Sequence, residues 1–206
     1  MAQDLHHIAG PGALMRPTLT LPPAEAEAVR TVYEAADVIL EYGSGGSTAL
    51  AAQMPGKTVF SVESDADWLQ GMHDWFAANP PVCDLHLHHG NIGPTKEWGA
   101  PAREGSFRRW PSYPLEVWDR DDFRHPDVVL VDGRFRAACF LTTLFRIARP
   151  VTLLWDDYVG RKPYHEMEDF AAPSALVGRM AVFELHPTAI PADKLGQIVT
   201  TYLRQQ

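Results

Sequence analysis

Four apolar runs in this chain end in a carboxylate: Val38-Ile39-Leu40-Glu41, Thr58-Val59-Phe60-Ser61-Val62-Glu63, Val128-Val129-Leu130-Val131-Asp132 and Val151-Thr152-Leu153-Leu154-Trp155-Asp156-Asp157. An acid at the end of a strand can accept the hydroxyls of a ribose, hold a cation or take a proton. The first run leads into a glycine-rich turn, Gly43-Ser44-Gly45-Gly46, and then into Ser47-Thr48-Ala49-Leu50-Ala51-Ala52, which reads as a helix. Glycine lets the backbone take positive φ and lets a ligand come close to the main chain. The free N–H groups at the start of the helix then face that ligand. A strand, a tight turn and a helix N-terminus in this order form a nucleotide-binding corner.

The elements around these acids alternate. The Ala/Glu-rich stretch 24–36 suits a helix leading into the first strand. Asp65 and Asp67 open a helix that runs to about Ala78, before Pro80-Pro81. A third strand is expected over 85–89, and a helix over 135–148 separates the fourth strand from the fifth. Near-continuous apolar strands between helices indicate a parallel sheet covered on both faces. In such a sheet ligands bind outside the carboxyl ends of the strands, which gathers Glu41, Glu63, Gly90, Asp132 and Asp156 at one edge. The tail breaks the rhythm: 180–185 and 197–203 read as strands joined too closely for a crossover helix, hence as an antiparallel pair. Residues 1–23 read as a loose arm whose Leu19 and Leu21 pack against the domain. Residues 90–125 have no period but carry Trp98, Phe107, Trp110, Tyr113 and Trp118 among arginines. They read as a lid or substrate-recognition insert, or as a second small core at the sheet edge.

From Gly43, the dinucleotide fingerprint G-x-G-x-x-G places Thr48 where its third glycine should be. The pattern acid-x-Gly-x-Gly, by contrast, fits Glu41, Gly43 and Gly45. In this the chain resembles motif I of the class I S-adenosylmethionine (SAM) dependent methyltransferases, with Ser47 where many members have another glycine. The resemblance implies a Rossmann-like, doubly wound sheet of seven strands, five parallel plus a C-terminal antiparallel hairpin, over residues 24–206. It also implies that Glu41, Gly43, Ser44, Gly45, Gly46 and Ser47 form the corner holding the methionine end of the cofactor. Glu63 would take the ribose, Ser64 and Trp68 the adenine side, and Gly90 and Asn91 the adenine amino group. Asp132 would face the junction of methyl donor and acceptor.

Asp132, Asp156 and Asp157 also resemble the ligand set of metal-dependent O-methyltransferases of the catechol and caffeoyl-CoA type, with Asp157 in place of an Asn. That resemblance implies a Mg2+ site on these three carboxylates. The position of the catechol-type lysine base is Phe135 here. Tyr158 and His165, on a stretch with helical spacing, are then the candidate bases beside Asp132. Arg134, Arg136 and Arg161 suit an anionic group on the substrate. His86 and His88, two apart on a strand, read as packed histidines.

At 206 residues the chain is long enough for one domain. A net charge of −8 argues against a nucleic-acid surface and leaves a small-molecule partner. No apolar run reaches the length of a membrane span, and no secretory signal is apparent. With only Cys83 and Cys139, a cytoplasmic protein is expected; oligomeric state stays open. The expected function is methyl transfer to a small acceptor, at oxygen rather than at nitrogen or carbon. The rivals are a non-catalytic SAM or S-adenosylhomocysteine (SAH) binder of the same fold and an NAD-dependent oxidoreductase.

Overall fold

The computed structural model describes residues 16–205; residues 1–15 of the expected N-terminal arm lie outside the described residues. The chain forms β1 (Val38–Tyr42), β2 (Thr58–Glu63), β3 (Asp84–His89), β4 (Thr95–Lys96), β5 (Ala100–Pro101), β6 (Val128–Val131), β7 (Val151–Trp155), β8 (Ala175–Val177) and β9 (Met180–Leu185). The helices are α1 (Pro23–Ala35), α2 (Gly46–Ala51), α3 (Ala66–Ala78), α4 (Ser112–Leu115), α5 (Arg136–Arg146) and α6 (Leu195–Tyr202). Seven strands form one sheet in the order β3-β2-β1-β6-β7-β9-β8, and β4 pairs only with β5.

The first five strands of that sheet are parallel, and β9 runs antiparallel to both β7 and β8. This is the architecture expected from the sequence. The order reverses between β1 and β6, so the crevice that binds ligands in open α/β sheets lies above these two strands. Every residue of β1, β2 and β6 is buried, because both faces of the sheet are covered. Ile39, Val59, Leu130 and Leu154 pack towards Val29 and Tyr33 of α1, while Leu40, Tyr42, Val62, Val131 and Trp155 pack towards α5.

The hairpin sits one element earlier than the sequence suggested. Its strands are β8 and β9, and 197–202 belongs to α6. The Val199-Thr200-Thr201-Tyr202 run favours a strand by propensity. Burial overrides it: Ile198 and Thr201, one helical turn apart, point inward, and the Tyr202 hydroxyl lies 2.7 Å from Thr142 Oγ1 of α5. The β8–β9 turn holds Gly178 at φ +55. A Cβ there would collide with buried Glu25 of α1, whose carboxylate accepts the Arg179 N–H at 2.8 Å. Within the expected arm, residues 16–22 pack rather than dangle. Leu21 is buried, Leu19 joins the same core, and the Thr18–Leu19 backbone lies against Gly46 at the start of α2.

Residues 90–125 form short helical turns whose Ile92, Trp110, Tyr113, Val117 and Trp118 join the main core. They cover the α5 side of the sheet between β3 and β6, where a crossover helix would otherwise lie.

Candidate functional site

The glycine turn is built on a buried acid. Glu41 Oε1 accepts from Tyr33 Oη at 2.7 Å, and Oε2 accepts from Thr48 Oγ1 at 2.6 Å. Thr48 Oγ1 also accepts the Gly45 N–H at 3.0 Å and lies 3.0 Å from Ser61 Oγ, itself 2.7 Å from Ser44 Oγ. Burial pushes the Glu41 carboxyl up from its ordinary value, and the Thr48 and Tyr33 hydroxyls hold it down in part. Glu41 was expected to contact cofactor. It is instead a brace beneath the turn, joining α1, β1 and α2, with both oxygens taken by protein hydroxyls. Ser47 is buried at the same corner.

Glu63 closes β2 at the rim. Its Oε1 accepts the N–H groups of Ser64 at 2.7 Å and Asp65 at 2.9 Å, while Oε2 accepts only the Ser44 N–H, at 3.3 Å. Burial raises its pKa, opposed by these backbone donors. Trp68 braces the glycine turn by donating its indole N–H to the Ser44 carbonyl at 2.8 Å. Gly90 follows β3 and donates its N–H to the Glu63 carbonyl at 2.8 Å. Asn91 is exposed and closes its own turn, its Oδ1 accepting the Gly93 N–H at 3.0 Å.

Asp132 stands at the end of β6, directly across from the glycine turn. A Cβ on Gly43 would lie 2.7 Å from the Gly133 nitrogen, so two glycines let these backbones touch. Burial pushes the Asp132 carboxyl up to about 7; Arg136 draws it down, and Asp156 and Asp157 push it up.

The expected Mg2+ site is not supported. Among the described residues, no group of three His, Cys, Asp or Glu side chains is set to hold a metal ion. Arginines offset the three carboxylates. Arg179 forks onto buried Asp156 at 2.9 and 2.7 Å and reaches Asp157 at 3.1 Å. Arg161 meets Asp157 at 2.9 Å. Arg136 pairs with Asp132 at 3.2 Å and donates to the Gly133 carbonyl at 2.9 Å, the Asp132 carbonyl at 2.7 Å and the Asp156 carbonyl. Arg136 is therefore a buried clamp across the β6 and β7 ends, with its donors engaged, rather than the expected substrate anchor. Arg134, half-buried, remains at the crevice mouth, where its Nε donates to the Trp98 carbonyl at 2.6 Å.

Tyr158 and His165 lie together, bonded to Glu168 and to the Tyr158 carbonyl rather than to Asp132. Tyr158 is buried in an aromatic cluster with Trp155 and Phe183, donates to Glu168 at 2.8 Å, and has its pKa raised by burial and by Glu168. A phenol held this way is a poor base. His165 is exposed and stacks on Tyr158 at 4.9 Å. Phe135 occupies the lysine position and is buried against Trp110 and Tyr113.

Sequence reasoning missed Tyr113, Gly99, Gly133 and Arg179. Tyr113 is fully buried where the strand ends meet: a Cβ on Gly133 would collide with its hydroxyl, and one on Gly90 would lie 2.7 Å from its ring. The three non-glycine residues with positive φ among those described, Trp98, Phe135 and Asp157, all surround this crevice. Strained backbone of this kind gathers where structure over-determines a site.

The fold finds a close counterpart in a methyltransferase-like protein from Silicibacter pomeroyi DSS-3. It is 54% identical with a TM-score of 0.88, over 91% of this chain and 98% of that one. An O-methyltransferase from Streptomyces achromogenes in complex with SAM is 15% identical with a TM-score of 0.55, over 82% of each chain. An O-methyltransferase from Bacillus cereus in complex with SAH is 16% identical with a TM-score of 0.55, over 82% of this chain and 84% of that one. At these identities the last two show the shared fold. No protein-family model and no curated protein matches the chain. The chain belongs to the family of the methyltransferase-like protein from S. pomeroyi, and its sheet has the fold of the SAM- and SAH-bound O-methyltransferases. Among the described residues, no helix is long and apolar enough to cross a membrane.

Proposed function

We propose that the protein is a SAM-dependent methyltransferase acting on a hydroxylated small molecule, with Asp132 as the proton acceptor. The observation that carries this reading is the contact of Gly43 with Gly133, which sets Asp132 beside the glycine turn and across from Glu63. The donor set suits the cofactor: a buried carboxylate with spare capacity on Glu63 Oε2, a glycine turn at a helix start, and an acid at the switch point. Glu63 would hold the ribose hydroxyls and Gly43 to Gly46 the methionine end. When bound, SAM supplies an electrophilic methyl group. This chain's own contribution is to align the acceptor oxygen and remove its proton. A carboxyl with a pKa of about 7 is a stronger base than an ordinary aspartate and is still partly ionised near neutrality. Arg134 and Arg161 at the rim would anchor an acidic group on the acceptor, and the free cysteines Cys83 and Cys139 suit a cytoplasmic setting. Phe135 in the position of the catechol-type lysine favours a second reading, a non-catalytic SAM or SAH binder.

The test is transfer of labelled methyl from SAM to a panel of phenols, sugars and hydroxy acids. Asp132→Asn should lower the rate about 100-fold. The wild-type rate should rise with pH through about 7, because the base must be deprotonated. SAM binding without transfer to any acceptor would select the second reading, and absence of SAM binding would sink both.

A further inference from the structure

The space between Glu63 and Asp132 is filled by the chain itself. Residues 97–101, the turn between β4 and β5, cross it as a strap. On one side Ser64 Oγ donates to the Gly99 carbonyl at 2.9 Å, and Thr95 Oγ1 donates to Asp65 at 3.3 Å. On the other, Arg134 Nε donates to the Trp98 carbonyl at 2.6 Å. A Cβ on Gly99 would lie 2.5 Å from Ser64 Oγ and 3.1 Å from Glu63 Oε1. Beneath the strap, Tyr113 fills the gap between Gly90 and Gly133, its hydroxyl 3.4 Å from the Val62 carbonyl.

Two features separate this from a lid closed over bound cofactor. A ribose hydroxyl on Glu63 must itself approach to about 2.6–3.2 Å; Gly99 stands so close to Oε1 that even a Cβ built on it would lie 3.1 Å away, which leaves a ribose only Oε2. The strap is also under tension. Trp98 is at φ +64 with its side chain 61% exposed, and Gly99 follows at φ +66. A non-glycine residue in the left-handed region is costly, so part of the closed strap's stability is offset by its own backbone.

Resting on the reading of a SAM-dependent enzyme, we propose that residues 97–101 and Tyr113 form a closed gate over the Glu63–Asp132 crevice and admit the nucleoside cofactor only when lifted. The apparent affinity for cofactor is then the intrinsic affinity reduced by the fraction of open molecules. Changes that weaken the closed strap tighten binding, and changes that relax it weaken binding.

Titration calorimetry with SAH on the wild type, Arg134→Met and Trp98→Gly tests this. Arg134→Met removes the bond to the Trp98 carbonyl and should tighten SAH about five-fold. Trp98→Gly relieves the left-handed strain and should weaken SAH by a similar factor. The opposite signs distinguish a gate from general loosening, which would move both variants the same way. SAH binding in all three proteins with unchanged affinity would overturn the gate and leave the cofactor reading standing. Failure of all three folded proteins to bind SAH would overturn the cofactor reading and the gate with it.

Discussion

The two halves of the crevice rim bury acids by different means. On the β1–β2 side, Glu41 and Glu63 are held by neutral donors: the Tyr33 and Thr48 hydroxyls and the backbone N–H groups of Ser44, Ser64 and Asp65. On the β6–β7 side, Asp132, Asp156 and Asp157 face Arg136, Arg161 and Arg179. The Tyr33 and Thr48 hydroxyls tolerate either protonation state of Glu41, since a hydroxyl can rotate to accept when the acid is protonated, whereas the backbone N–H groups at Glu63 only donate and favour its ionised form. A guanidinium cannot adapt, and when it is removed a buried carboxylate is left unpaired. The first half is therefore a rigid cradle held without a countercharge. The second is a charge-balanced assembly in which one member, Asp132, keeps a pKa of about 7 and so retains proton chemistry.

The comparison breaks most visibly at Arg179. Its fork holds Asp156, which is 1% exposed, while the arginine side chain is 43% exposed. Arg179→Met should destabilise the protein by about 3 kcal/mol, at the lower end for breaking a buried pair because one partner is partly solvated. Urea unfolding of the single variant and of Arg179→Met/Asp156→Asn checks this. The double variant should recover more than half of the loss. If the single variant is as stable as the wild type, the charge balance of the β6–β7 side is not what holds it.

The same contrast explains what the sequence made legible. The cradle is local: Glu41 meets Thr48 seven residues on, and the apolar runs ending in acids, with glycines after the first, mark both the strands and the crevice. The clamp is not local. Arg179 reaches Asp156 from a hairpin turn 23 residues away, and no spacing rule links them. Acids at strand ends look alike whether a cation or an arginine offsets them, so the three aspartates read as a metal site. The tail misled for a related reason. β8 is three residues long with Ala175 and Leu176 exposed, so it has no apolar signature, whereas 197–203 has the β-branched composition of a strand and the burial period of a helix. Tyr113 was visible only as an aromatic in an unperiodic stretch. Its partners Gly90 and Gly133 come from two different strand ends, and the glycines kept for close approach to a ligand also admit this ring.

On the neutral side, Thr48→Val sharpens the comparison. The Thr48 hydroxyl links Glu41, the Gly45 N–H and Ser61, so its loss removes several bonds around one buried acid. A destabilisation of about 1–2 kcal/mol is expected by thermal or urea unfolding. Glu41→Gln should cost less, because the rotatable Tyr33 and Thr48 hydroxyls can re-pair with an amide. Equal losses in the two variants would mean that the Glu41 charge matters, and the division between the two halves would fail.

The smallest effect concerns pH and returns to Asp132. Its folded pKa of about 7 lies above the ordinary 3.8, so folding favours the protonated form. The stability it contributes is fully present below about pH 4 and is lost as pH rises through about 7. Because its side chain is 32% exposed, solvent screening reduces the expected loss to about 1–2 kcal/mol between pH 5 and 8. Asp132→Asn, which cannot ionise, should flatten that slope in urea unfolding while leaving the rest of the pH profile in place. Glu41→Gln should flatten it in the same direction, since burial raises that carboxyl too, but outside the charge cluster. A wild-type stability that climbs from pH 5 to 8 would mean that Arg136 outweighs burial at Asp132. The carboxyl would then be an ordinary, fully ionised member of the ionic half, too weak a base for the role assigned to it.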